Sequence, residues 1–202
     1  KLNRVGAVAP GYKADMIIFN DLQKFDIECV YKDGKLIAKN KKLLCQLKSV
    51  NTSKVTNTVK LTKINYEDIQ IKFSNSHNNE AKANVIQLQS HSLLTKKVVR
   101  TVKIKNSNFI YDCNADILKL AVIERHHNTG NIGLGLIENF KLKNGAIATT
   151  IAHDSHNLIV IGDNDEDIIN AANKVIEMQG GIAISSFNEI LECLSLKIGG
   201  LM

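Results

Sequence analysis

The sequence predicts an α+β protein: the end of a small β-sandwich domain over residues 1–50, then a mixed α+β domain over residues 51–202. Three observations carry that expectation. The apolar residues fall in short runs of Ile, Leu and Val, aromatics make up only 5% of the chain and tryptophan is absent; such runs favour strands where they are short. Residues 163–179 alone combine start, stripe and stop signals for a helix. Residues 39–58 are rich in Lys, Asn, Ser and Thr, the composition of a linker or surface excursion between two folded parts.

In the first part, Gly6 and Pro10-Gly11 punctuate the entry, and residues 16–19 form a short apolar run. Residues 28–31 and 36–38 flank Lys32-Asp33-Gly34-Lys35, where Asp-Gly predicts a two-residue hairpin turn because Gly tolerates positive φ. In the second part, strands are predicted at residues 69–73, 85–89, 98–105, 117–123, 146–152, 158–161 and 182–185. The stretch 98–105 alternates, with Val98, Arg100, Val102 and Ile104 on one face and Val99, Thr101, Lys103 and Lys105 on the other. Between residues 163 and 179, Asp163 is the expected cap with Glu166 three residues on. The acidic first turn suits the helix dipole, and Gly180-Gly181 ends the element. Ile168, Ala172, Val175 and Ile176 form its buried stripe. Gly130-Asn131-Ile132-Gly133-Leu134-Gly135 is read as a glycine-rich turn opening a short helix that includes Leu136 and Ile137. Its G-x-x-G-x-G order reverses the dinucleotide fingerprint, so no such cofactor is expected; the turn's N–H groups could still face an anionic or carbonyl ligand.

Composition narrows the function classes. At 202 residues and 44% hydrophobic the chain can fill a core. The net charge of +6 comes from dispersed lysines, and without aromatics for base stacking a nucleic-acid partner is not expected. Cys29, Cys45, Cys113 and Cys193 show no C-x-x-C spacing, which argues against a zinc ribbon or a disulfide framework. Reduced thiols in a cytoplasmic protein are the default. No signal segment and no membrane-spanning run is present.

Two polar segments stand out. Glu124-Arg125-His126-His127-Asn128-Thr129-Gly130-Asn131 and His153-Asp154-Ser155-His156-Asn157 each follow an apolar run and together hold four of the six histidines. Such side chains at strand ends suggest a site, and the bland alternative is a pair of solvated loops. His153, Asp154, His156, Asn157, Glu124, Arg125 and His126 are the candidates for contact with a substrate. His153 and His156 could share a metal only if one helical turn brought their rings together; on an extended strand they would diverge. A Ser155–His–Asp hydrolase triad is not expected, because adjacent residues rarely converge in space. The two segments are expected to meet at a common edge, provided their preceding strands are parallel neighbours. His77 and His91 have no supporting neighbours and carry no role.

Residues 5–19, Val-Gly-Ala-Val-Ala-Pro-Gly-Tyr-Lys-Ala-Asp-Met-Ile-Ile-Phe, resemble the segment by which amidohydrolase-superfamily chains leave the catalytic barrel for a small β domain, and residues 30–38 resemble the hairpin that follows. The run Glu124 to Gly133, then Gly145-Ala146-Ile147-Ala148, Ile151 to Asn157 and Ile198-Gly199-Gly200-Leu201-Met202, is similar to the C-terminal domain of bacterial adenine deaminase. The resemblance implies a parent reaction in purine salvage, adenine plus water giving hypoxanthine plus ammonia, with manganese or iron as the divalent metal. It departs from the family in two ways: the metal-bearing barrel and its H-x-H motif have no counterpart here, and Ser195 and Lys197 stand where prolines are expected. The implied protein is therefore a fragment cut at both ends, its C-terminal domain incomplete. It would be inactive alone, holding no catalytic residue or metal ligand of its own, and would shape the active-site mouth of the complete enzyme. Its implied partners are adenine, the missing barrel and further copies of the enzyme. A stand-alone metal-binding module and a subunit-assembly module remain the alternatives.

Overall fold

The structure, a computed structural model, describes residues 3–74 and 79–202, so His77 lies outside the described residues. The chain divides into two compact units, Lys1–Asn51 and Thr52–Met202.

The first unit is a four-stranded antiparallel meander: β1 (Met16–Asp21), β2 (Asp26–Lys32), β3 (Lys35–Lys39) and β4 (Lys42–Leu43). Lys32 pairs with Lys35, so Asp33-Gly34 forms the expected two-residue turn, with φ of 47° and 76°. Both central residues in the left-handed region match the twist of the flanking strands.

The second unit is a nine-stranded sheet with one α-helix on it. Its strands are β5 (Glu80–Leu88), β6 (Thr95–Lys105), β7 (Asn108–Phe109), β8 (Ile117–Ile123), β9 (Ile132–Glu138), β10 (Ala146–Thr149), β11 (Leu158–Gly162), β12 (Gly181–Ser186) and β13 (Glu189–Ser195). Their order is β13-β12-β10-β11-β8-β9-β5-β6-β7. All neighbours are antiparallel except β5 and β9. The alternation read in residues 98–105 holds: Val102 and Ile104 are buried, Val98 and Arg100 partly so, and the other face is exposed.

Helix α1 (Asp165–Glu177) lays Ile168, Ala171, Ala172, Val175 and Ile176 against Ala121, Ile123, Leu158, Val160 and Ala183 of the sheet. The helix approaches closely because Gly162 ends β11: a Cβ there would lie 2.6 Å from Ile168 Cγ1 and 2.7 Å from Ala146 Cβ. The cap is Asn164, not Asp163. Asn164 accepts from the Asp167 N–H, while Asp163 accepts from the N–H groups of Asn144 and Gly145 and so ties the loop before β10 to the end of β11. Gly180, with φ of 112°, ends the helix as expected.

Three element readings are corrected. Residues 132–138 form strand β9, not a glycine turn with a short helix. Ile132, Leu134 and Leu136 alternate with Gly133, Gly135 and Ile137, and period-two alternation outweighs glycine content once both neighbouring strands supply hydrogen bonds. Residues 69–73 are not a strand. A 3-10 turn over Tyr66–Ile69 starts where Asp68 accepts from the Asn65 N–H, and only Lys72 bridges to Asn108. Strand β10 stops at Thr149 and not at residue 152, because the Thr149 hydroxyl accepts from the Ile151 N–H and turns the chain out of the ladder. Strand β13 was not anticipated; it is an edge strand with most of its residues exposed. Among the described residues no helix is long and apolar enough to cross a membrane.

Candidate functional site

The two polar segments meet. Strand β11 lies antiparallel beside β8, with Leu158 opposite Ile123, so the chain entering β11 runs beside the chain leaving β8. Strands β8 and β10, which precede the two segments, run parallel as expected but are not neighbours: β11 lies between them, antiparallel to both.

Arg125 is the fastener. The residue is 1% exposed, and its guanidinium reaches three segments far apart in sequence. Nε donates to the His156 carbonyl at 2.5 Å, Nη2 to the Gly199 carbonyl at 2.9 Å, and Nη1 to the Thr58 hydroxyl at 3.4 Å. The Arg125 carbonyl accepts from the Lys60 N–H at 2.7 Å. Burial holds the Arg125 pKa below its ordinary value. The Gly199-Gly200 pair fits over this side chain, since a Cβ on Gly200, whose φ is 73°, would sit 2.7 Å from Nη1. Thr150 closes the arrangement: its hydroxyl donates to the Gly200 carbonyl and accepts from the Gly181 N–H.

Glu124 organises the first loop. Its carboxylate accepts from the N–H groups of His126, His127 and Thr129 and from the Thr129 hydroxyl, at 2.6–3.2 Å. Partial desolvation alone would raise its pKa, but these donors to the charged form together hold it at about 2. A carboxylate with a depressed folded pKa stabilises the native loop fully above its unfolded pKa, near 4.5, and loses that contribution as pH falls toward 2. Amide exchange at His126 and His127 should therefore keep its protection down to about pH 4.5 and lose it below. Protection unchanged in Glu124→Gln would overturn this account.

The second loop is clamped at its base and free at its tip. The His126 Nε2–H donates to the Ser155 carbonyl at 3.0 Å, and the Ala152 carbonyl accepts from the His156 N–H. Asp154 and His156 both adopt left-handed backbone, with φ of 68° and 49°, a conformation that Asp, Asn and His tolerate better than most residues. His156 is partly buried, and its Nδ1 is buried without a partner. The Asn157 N–H donates to the Ser155 hydroxyl at 3.4 Å. At the tip, His153 Nδ1 lies 2.9 Å from Asp154 Oδ1, and the two side chains are 96% and 90% exposed.

Of the seven candidates, then, Arg125 and Glu124 are committed to holding the loops, and His126 and His156 lie at the clamp. Asn157 sits at the base. His153 and Asp154 project their polar groups almost wholly into solvent. Neither geometry considered for His153 and His156, one helical turn or an extended strand, is present, because the chain here is a tight turn. Among the described residues no group of three or more His, Cys, Asp or Glu side chains could hold a metal ion, so this donor set does not fit one. Sequence reasoning missed Thr58, Thr150 and the supporting role of Gly199-Gly200. No local signal could have shown them, since their partners lie dozens of residues away.

Comparison with known proteins gives the family. A family model described as the adenine deaminase C-terminal domain matches residues 92–202. An adenine deaminase of Clostridium acetobutylicum is 44% identical over 203 residues, covering 100% of this chain and 35% of the relative. Adenine deaminase 2 of Carboxydothermus hydrogenoformans is 45% identical over 202 residues, again 100% and 35%. One from Halalkalibacterium halodurans is 39% identical over 204 residues, 100% and 34%. The chain thus spans about a third of the length of the curated relatives it matches. With more than half of its residues matched by that one model, the chain belongs to the adenine deaminase C-terminal domain family.

Proposed function

We propose that this chain is the C-terminal portion of an adenine deaminase acting in cytoplasmic purine salvage, and that it presents the His153–Asp154 pair to an active site built by the rest of the enzyme. Water oxygen bonds to purine C6 and the bond from C6 to the exocyclic nitrogen breaks; one of the water's hydrogens leaves with that nitrogen as ammonia, and the other stays on the purine as the N1–H of hypoxanthine. The observation that carries the reading is a polar pair held out in solvent by a loop whose base is clamped from several sides. A merely solvated loop would need no such clamp. Asp154 accepting from His153 Nδ1–H leaves Nε2 as an acceptor, the complement of an N–H on a purine edge. Manganese or iron, implied by the resemblance, would be held by residues outside this chain.

The isolated chain should release no ammonia from adenine, with or without added manganese or iron. Its exposed pair lacks the preorganised, water-excluded surroundings that give polar groups catalytic strength. The complete polypeptide that contains it should release ammonia and hypoxanthine in equal amounts. Turnover by the isolated chain that survives further purification would overturn the division of labour, and a silent complete polypeptide would overturn the activity itself.

A further inference from the structure

The two loops carry a second carboxylate–imidazole pair, outside the seven candidates. Nδ1 of His127 lies 3.5 Å from Oε1 of Glu124, as Nδ1 of His153 lies 2.9 Å from Oδ1 of Asp154. Both rings face outward, the His127 side chain 82% exposed and that of His153 96%. Because each carboxylate faces Nδ1, that nitrogen carries the proton and Nε2 is left as an acceptor. Among the described residues neither Nε2 has a hydrogen-bond partner.

The loops are joined beside these rings. His126, which donates to the Ser155 carbonyl at 3.0 Å, has its ring 6.3 Å from that of His127. His127 therefore stands next to a side chain that bridges to the His153 loop. The two pairs differ in how firmly they are held. Asp154 is 90% exposed, whereas Glu124 is 18% exposed and accepts from three backbone N–H groups and the Thr129 hydroxyl. The His127 N–H donates to Oε1 at 2.9 Å, the same oxygen that its Nδ1 faces. Backbone and ring thus converge on one fixed atom, which restricts where Nε2 points.

We propose that His127 is a specificity-determining residue of the deaminase site: its Nε2 accepts from the ring N9–H of free adenine, while His153 faces the exocyclic amino group. The inference rests on the deaminase reading above. Adenine offers N–H donors at two places, the exocyclic amino group and the five-membered ring, and the loops present two acceptors to match. The exocyclic nitrogen is the one that leaves, so it falls to the lightly held ring of His153. The ring N–H is unchanged by the reaction and suits the fixed ring of His127. A purine substituted at N9, as in a nucleoside, has no hydrogen to give there. A site built to accept from a substrate N–H discriminates strongly against the analogue that lacks it.

Kinetics and calorimetric binding on the complete enzyme, with adenine and 9-methyladenine, test the assignment. His127→Ala should narrow the preference for adenine over 9-methyladenine at least ~10-fold in both kcat/KM and Kd, mainly by raising KM for adenine. His153→Ala should lower kcat/KM for both purines alike, since both carry the exocyclic amino group. The exposure of His127 means that its loss should not move the melting temperature. An unchanged preference in His127→Ala overturns the inference and leaves the deaminase reading standing, and so does an equal loss for both purines. A complete polypeptide that neither binds nor deaminates adenine overturns the deaminase reading itself, and this inference with it.

Discussion

In the complete enzyme, His153→Ala should lower kcat/KM by roughly ten- to a thousand-fold, the loss that follows removal of one oriented polar contact to a reacting group. Its melting temperature should barely move, because the side chain is 96% exposed and its one close partner is the equally exposed Asp154. Asp154→Asn should lower kcat/KM less, since an amide oxygen can still accept from Nδ1–H and orient the ring. Measuring turnover and melting on the same protein separates the two roles. Normal kcat/KM per folded molecule in His153→Ala would end the claim that this tip meets the substrate.

Arg125→Met should have the largest effect on stability. The substitution removes three charge-assisted hydrogen bonds and leaves the carbonyls of His156 and Gly199, both partly buried residues, without that donor. Each acceptor so stranded costs about 1–3 kcal/mol, so the two together should cost at least ~2 kcal/mol. For a unit of this size that lowers the melting temperature by roughly 4–8 °C or more. Arg125→Lys should not rescue it, because one ammonium cannot reproduce the planar fork that spans three acceptors in different directions. A melting temperature within about 2 °C of the parent for Arg125→Met would show that the clasp contributes little.

These two residues sit in the same pair of segments and were indistinguishable as text. Both are polar and both follow an apolar run. Among the described residues one is the largest of the fully buried side chains, and the other is almost wholly in solvent. The difference arises because β8 and β11 are neighbours: the loop leaving one crosses the loop entering the other, and the residue at the crossing is buried while the tip is not.

What the sequence determined by itself is what depends on near neighbours in the chain. The Asp33-Gly34 turn, the face alternation of β6, the span of β8, the buried stripe of α1 and its stop at Gly180 all follow from spacing and backbone preference within a few residues. The family was legible too, since its motifs are local strings in a conserved order along the chain. The glycines of β9 misled because a strand interior between two partners can tolerate what an isolated segment would not. Only the tertiary structure decided which polar residues hold the fold and which face outward. Arg125 meets partners 31, 67 and 74 residues away, and no local propensity encodes such contacts. They exist because the strand order brings three loops to one end of the sheet, where a buried cation must find acceptors or pay its full cost of desolvation.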